Sequence, residues 1–224
     1  LMKLGIGGGE PMFDYEDKSG VRANPETPLP FFQWVGAPPV KDVSNIPAIA
    51  IQTSGTMLTD AFWVRDTAVI SLRFKDLIEE FEPGAHDFFP VTLKRKNGTS
   101  YPERYFIFHP TRYVPCVLLS KCDINEKIYS RVDGRPHFSV LWYKYVISRP
   151  AYGARKIFHS LFLNYDELLI ADDVAARIKA EKLTNVHLYA AQELDEPWVF
   201  EREAPELAEF LKIHPDSSYR FHAF

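Results

Sequence analysis

The chain has 224 residues, 46% of them hydrophobic, with a formal charge of -4 and a pI near 6.0. It is long enough to bury a substantial core without disulfides or metals, as one large domain or two small ones. The acidic balance argues against a general nucleic-acid binder, and no window reaches the apolar length of a membrane span.

Two cysteines, Cys116 and Cys122, lie six positions apart and complete no zinc set. Cys116 sits in the run VPCVLL and reads as a small packed hydrophobe. Neither metal nor cofactor is expected. The start, LMKLGIGGGEP, has one lysine and no apolar run long enough for a signal peptide, so the cytoplasm is the expected location.

Residues 1–50 are poor in periodic signal and rich in proline: Pro25, Pro28, Pro30, Pro38, Pro39 and Pro47. Each removes a backbone donor and fixes φ. The segment reads as an irregular arm with one short strand around Phe31–Val35. Its Trp34 is a candidate partner contact, or a pin that holds the arm to the body.

The stretch VISLRFKDLIEEFEPGAHDFFPVTL, from Val69 to Leu93, encodes a strand–helix–turn–strand unit. Phe74, Leu77, Ile78 and Phe81 place four apolar groups on one helix face. Ser71 sits at the N-cap, and Pro83-Gly84 stops the helix. Asn97-Gly98, flanked by apolar alternation, predicts a hairpin with a type I′ turn. Further strands are expected at Val114–Leu119 and His137–Ile147, with a turn at Asp133-Gly134 before the latter.

A second such unit follows. Leu168–Ile170 ends a strand, Asp172 or Asp173 caps a helix marked by Val174, Ile178 and Leu183, and Val186–Tyr189 returns. Ile70, Phe74, Ile78 and Phe88 match Ile170, Val174, Ile178 and Leu188 at a constant offset of 100. A duplicated half-domain explains the match. So does the general likeness of strand–helix–strand units, and four apolar positions do not separate the two.

The tail from Glu193 to Glu209 is acidic, and Leu207, Phe210 and Leu211 give it a short amphipathic helix. Such a run is ordinarily a solvated face, but it would also steer a basic partner. Its candidate interface residues are Glu193, Asp195, Glu196, Glu201 and Glu203.

Catalytic motifs were sought along the whole chain. Gly5, Gly7, Gly8 and Gly9 lie between no recognisable strand and helix, so the nucleotide-loop readings fail. The histidines at 86, 109, 137, 159, 187, 214 and 222 form no H-E-x-x-H pair, and no G-x-S-x-G elbow is present. His86 and Asp87 are neighbours in a turn and are expected to point apart. Glu79, Glu80 and Glu82 read as a solvated helix flank. No catalytic residue is assigned.

The segment LRFKDLIEEFEPGAHDFFPVTL resembles the signature of a bacterial immunity-protein family linked to polymorphic toxins, once known only as a domain of unknown function. The matching positions are Ser71, Lys75, Glu79, Glu80, Pro83, Gly84, His86, Phe88, Phe89 and Pro90. The stretch LFLNYDELLIADDVAARIKAEKLTNVHLY, with its Leu183-Thr184 turn, is similar to the family's C-terminal portion. There a serine usually starts the second helix, where this chain has Ala171 and then Asp172. The resemblance implies a protein that binds and neutralises a cognate toxin and has no catalytic residues.

These readings give an α+β fold, with two principal helices on mixed or antiparallel sheet. Residues 51–224 form its domain, and 51–125 and 126–224 are the halves a duplication would give. The expected function is toxin inhibition through a protein–protein complex. A hydrolase that reverses a toxin's modification and a non-catalytic adaptor are the alternatives.

Overall fold

The computed structural model describes residues 1–7, 12–16, 46–55, 57–65, 67–122, 127–132, 135–140, 145–160 and 167–213. The chain opens with β1 (Met2–Ile6), β2 (Met12–Glu16), β3 (Ile49–Ser54), β4 (Ala61–Val64) and β5 (Thr67–Ser71). Helix α1 (Leu72–Phe81), β6 (Asp87–Lys94) and β7 (Tyr105–His109) follow. After a short 3-10 turn at Leu119–Lys121 come β8 (Lys127–Val132), β9 (Arg135–Val140), β10 (Val146–Ser148), α2 (Arg149–Tyr152) and β11 (Ile157–Phe158). Then come β12 (Glu167–Ile170), α3 (Asp172–Ala180), β13 (Val186–Ala190), β14 (Gln192–Leu194), α4 (Phe200–Glu203) and α5 (Pro205–Ile213). The fold is α+β, and its strand pairings are mainly antiparallel.

Helix α1 forms where its pattern predicts. Phe74, Leu77 and Ile78 are buried, and the Ser71 hydroxyl accepts from the Phe74 amide at 3.3 Å. Gly84, with φ +65, takes the left-handed turn after the helix. The second helix departs from expectation at its start. Ala171 occupies the N-cap, and Asp172 and Asp173 lie inside the first turn, where carboxylates favour the positive end of the helix dipole.

Two units of one topology emerge from the pairing. In the first, β5 and β6 both pair antiparallel with β7, which lies between them, and β4 flanks β5. In the second, β12 and β13 both pair antiparallel with β1, and β11 flanks β12. The likeness extends outward. Strand β3 joins β6 in parallel at Thr92–Lys94, and β10 joins β14 in parallel at Gln192–Leu194, the positions one hundred later. Strand β2 runs antiparallel to β3, and Val117 bridges antiparallel to Ile147 of β10.

Alternating side chains divide the interior into three clusters, as period-2 strands require. Ile70, Phe106, Phe108, Leu4, Leu168 and Ile170 meet α1 and α3 in a core shared by both units. The opposite faces carry separate cores. One holds Phe13, Tyr15, Val69 and Ile107; the other holds Val117, Ile147, Phe158 and Leu169. All four matched pairs at offset 100 lie in or against the shared core. The first sheet curls until its edge strands meet: Phe13 stacks on Phe62 at 5.1 Å, and Arg65 Nε lies 2.9 Å from Asp14 Oδ1.

The reading of residues 1–50 as an irregular arm is corrected at two places. Met2–Ile6 is a strand hydrogen-bonded on both sides, and Met12–Glu16 is an edge strand. The short segment MKLGI contains a glycine and a lysine, so it carries little period-2 signal until its partners are known. The strand expected at Phe31–Val35, Trp34 within it, and the Asp133-Gly134 turn lie outside the described residues. The strand expected over Val114–Leu119 is reduced to bridges and bonds around Val117, and it runs into the 3-10 turn. The Asn97-Gly98 turn also differs. Only Gly98 has positive φ there (+84), and its amide donates to Arg95 O at 2.9 Å. This is a three-residue loop with glycine in the left-handed position, not a type I′ turn.

Candidate functional site

The acids of the tail divide: Glu193 and Glu203 are drawn inward, whereas Asp195 and Glu201 stay exposed. Glu193 Oε2 accepts from the nitrogen of Leu1 at 2.8 Å, its Oε1 accepts from the Tyr152 hydroxyl, and Arg149 Nε lies 3.6 Å away. Burial opposes its ionisation, yet these donors hold its carboxyl below the usual range. Asp195 pairs with Arg149 Nη1 at 2.9 Å, and Glu196 with Arg202 Nη1 at 2.7 Å. Glu203 is fully buried; it accepts from the Ser120 amide at 2.9 Å and from Arg202 Nε. Glu201 is exposed and makes no ion pair among the described residues.

The expectation of a solvated acidic face is corrected at Glu203, which is buried, while Asp195 and Glu201 remain exposed. A run of acids in sequence says nothing about cations that approach from elsewhere, and Lys121 and Arg149 come from distant segments. Glu203 sits in the interior and presents no charge to the outside.

A seam between the two units collects several signature residues. Asp60, buried at the end of a loop, accepts from the Ser71 hydroxyl at 2.8 Å. Its second oxygen accepts from the Thr184 amide at 2.8 Å and the Thr184 hydroxyl at 2.9 Å. Arg73 Nε stands 3.1 Å from the same carboxylate. The Leu183-Thr184 turn is tight, with positive φ at Lys182 (53) and Asn185 (60). Asn185 Nδ2 donates to Gly7 O at 3.0 Å and to Ala61 O at 2.8 Å. A Cβ at Gly7 would lie 2.1 Å from Asn185 Oδ1, so any larger residue there would displace the Asn185 side chain from its bonds. Sequence reading missed Asp60 altogether, because a lone aspartate in TDAF carries no pattern.

A third polar cluster lies where α1 ends. His86 Nε2 is 3.1 Å from Glu82 Oε2, and its Nδ1 accepts weakly from the Thr111 amide at 3.4 Å. Glu82 also accepts from the Lys156 amide at 2.7 Å, with Arg112 Nε at 3.3 Å. Asp87 turns to His109 Nδ1 at 3.3 Å, so His86 and Asp87 point to different partners, as expected. Burial works against the Glu82 charge, but His86, the Lys156 amide and Arg112 overcome it and lower its pKa. Burial dominates at His109 and lowers its pKa despite Asp87.

This arrangement suits structure better than turnover. A general base needs a nitrogen within reach of a reacting atom, and both nitrogens of His86 are engaged. Burial pushes the Cys116 thiol up to about 12, which makes it a poor nucleophile. Other signature residues pack or pair: Lys75 Nζ lies 5.1 Å over the Phe88 ring, and Glu80 reaches Arg177 at 3.3 Å. Among the described residues, no group of three or more His, Cys, Asp or Glu could hold a metal ion.

No curated protein matches the chain. The model of the Immunity protein family (Imm11) matches residues 10–193, a span that runs from just before β2 into β14 and takes in the first unit, Asp60 and Thr184, and all of the second unit's strands except β1. The chain belongs to that immunity protein family.

Proposed function

We propose that the protein binds a cognate toxin domain in the cytoplasm and neutralises it by occupying its surface, without catalysis. Membership of an immunity family carries the reading. Engagement of Glu82, His86, Asp60 and Ser71 within the fold supports its non-catalytic part. No helix among the described residues is long and apolar enough to cross a membrane.

The test is co-expression with each candidate toxin domain found in the genes that neighbour this chain's own. Cells that carry both should grow, cells that carry the toxin alone should not, and the two proteins should co-elute as one complex. An adaptor would bind without restoring growth. Turnover of a toxin-modified substrate by the purified chain, abolished in His86→Ala, would replace binding with enzymatic reversal.

A further inference from the structure

The end of the first unit away from the Glu82–His86 cluster carries an unusual surface. Met57 is 74% exposed and Met12 54%. Met12 pairs with Ser54 at the end of β3, and Met57 lies just beyond it, so the two thioethers share one end of the curled sheet. Tyr101, half-buried, joins them: its hydroxyl donates to Gln52 Oε1 at 2.8 Å, and its ring lies 6.3 Å from Phe13.

The neighbouring hairpin loop is basic. Residues 94–104 hold Lys94, Arg95, Lys96 and Arg104 against Glu103; Lys94 is paired with Glu16 at 3.2 Å and Arg104 lies over the Phe106 ring, so the charge this loop offers a partner comes from Arg95 and Lys96. Arg95 lies 4.1 Å over the Tyr101 ring. Lys96 is exposed and makes no ion pair among the described residues. The loop is braced by Arg95 N to Thr99 O at 2.8 Å and Tyr101 N to Leu93 O at 2.8 Å, so these groups are held before any partner arrives.

We propose that this end of the first unit is the toxin-docking surface. Met12, Met57 and Tyr101 form an apolar centre, and Arg95 and Lys96 form a basic rim that fits an acidic face on the toxin. Methionine, tyrosine and arginine are the residue types enriched in interface centres, and exposed methionines adapt to a partner's contour. Among the described residues, the other large exposed apolar groups, Tyr189, Val199 and Ile213, are scattered over β13, the approach to α4 and the end of α5.

The inference rests on the toxin-binding reading, and the experiment separates the two. Binding of the full chain to the catalytically inactivated form of each candidate toxin domain is measured by calorimetry at two salt concentrations. Arg95→Glu with Lys96→Glu should weaken binding about thirtyfold and flatten its salt dependence. Met12→Ser with Met57→Ser, both exposed and tolerable to the fold, should weaken it about tenfold at either salt. Asp195→Lys with Glu201→Lys should leave it unchanged. If the basic-rim variant binds within twofold of the parent, or the tail variant loses binding in its place, the surface is wrong although the toxin is bound. If the parent itself does not bind, the toxin-binding reading falls, and this surface with it.

Discussion

The two units share a strand order and differ in how the chain supplies it. In the first, every strand from β2 to β7 follows in sequence, and the central strand β7 comes directly after β6. In the second, the central slot is filled by β1, which precedes the whole first unit. The positions correspond closely: Ile107 pairs with Val69 in one, and Lys3 pairs with Leu169 in the other. Ile107 packs in an apolar core, whereas Lys3 is buried with its ammonium 4.6 Å over Tyr145 and 5.0 Å over Tyr189. One topology therefore tolerates a change in both chain order and central chemistry, provided that the alternation and the shared core are kept.

The strongest way to break the comparison is Leu4→Pro. Leu4 lies mid-strand, 2% exposed, with neighbours on both sides. Proline there removes a ladder donor and distorts the core, at a cost of about 3 kcal/mol or more. Because one core serves both units, urea unfolding should shift as a single transition. Two separated transitions would show that the units fold independently. Asp60→Ala comes next. It strands the hydroxyl of Ser71 and the donors of Thr184 at the seam, and should cost about 2–4 kcal/mol by chemical denaturation. Thr184→Val, at an exposed turn, should cost about 1 kcal/mol. Equal losses would mean that Asp60 does not join the units.

Acid sharpens the comparison at the other junction, where Glu82, at the C-cap of α1, holds the Lys156 amide ahead of β11. Glu82 and His109 both have lowered pKa values in the fold, so the unfolded chain takes up protons that the folded chain refuses, and stability falls as pH falls. The His109 contribution is complete above its ordinary value of 6.5 and is lost as pH falls through its lower folded value. The Glu82 contribution is complete above 4.5 and is lost as pH drops through its lower folded value. Urea midpoints measured stepwise from pH 7 to pH 3 should decline in both windows. Glu82→Gln should flatten the lower window alone, and an unchanged slope there would remove Glu82 from the junction.

Much of the first unit was legible because its signals are local. The spacing of Phe74, Leu77 and Ile78, the Ser71 cap and the Pro83-Gly84 stop each act within a few residues. The offset of 100 was visible too, and the structure sets those residues around one core. Strand β1 was not legible, since its partners Leu168–Ile170 and Val186–Ala190 lie at the far end of the chain. Asp60 was invisible for the same reason, as Thr184 is 124 positions away. The tail acids were seen, but the cations that neutralise them were not. A charge run is a property of sequence, and an exposed charge is a property of the fold.

The smallest effect is the most discriminating, because it compares matched helix starts. Ser71 (φ -68, ψ 161) and Ala171 (φ -66, ψ 156) share one backbone conformation, so either position suits a capping side chain. Ser71→Ala should cost about 1–2 kcal/mol, since the hydroxyl both caps Phe74 and bonds Asp60. Ala171→Ser should add only about 0.3–0.5 kcal/mol, because the Val174 amide already donates to Asp173 Oδ1 at 3.0 Å. Thermal melts of the two variants decide the matter. If Ala171→Ser gains as much as Ser71→Ala loses, then Asp173 is no substitute cap, and the aspartates that open α3 act through the helix dipole alone.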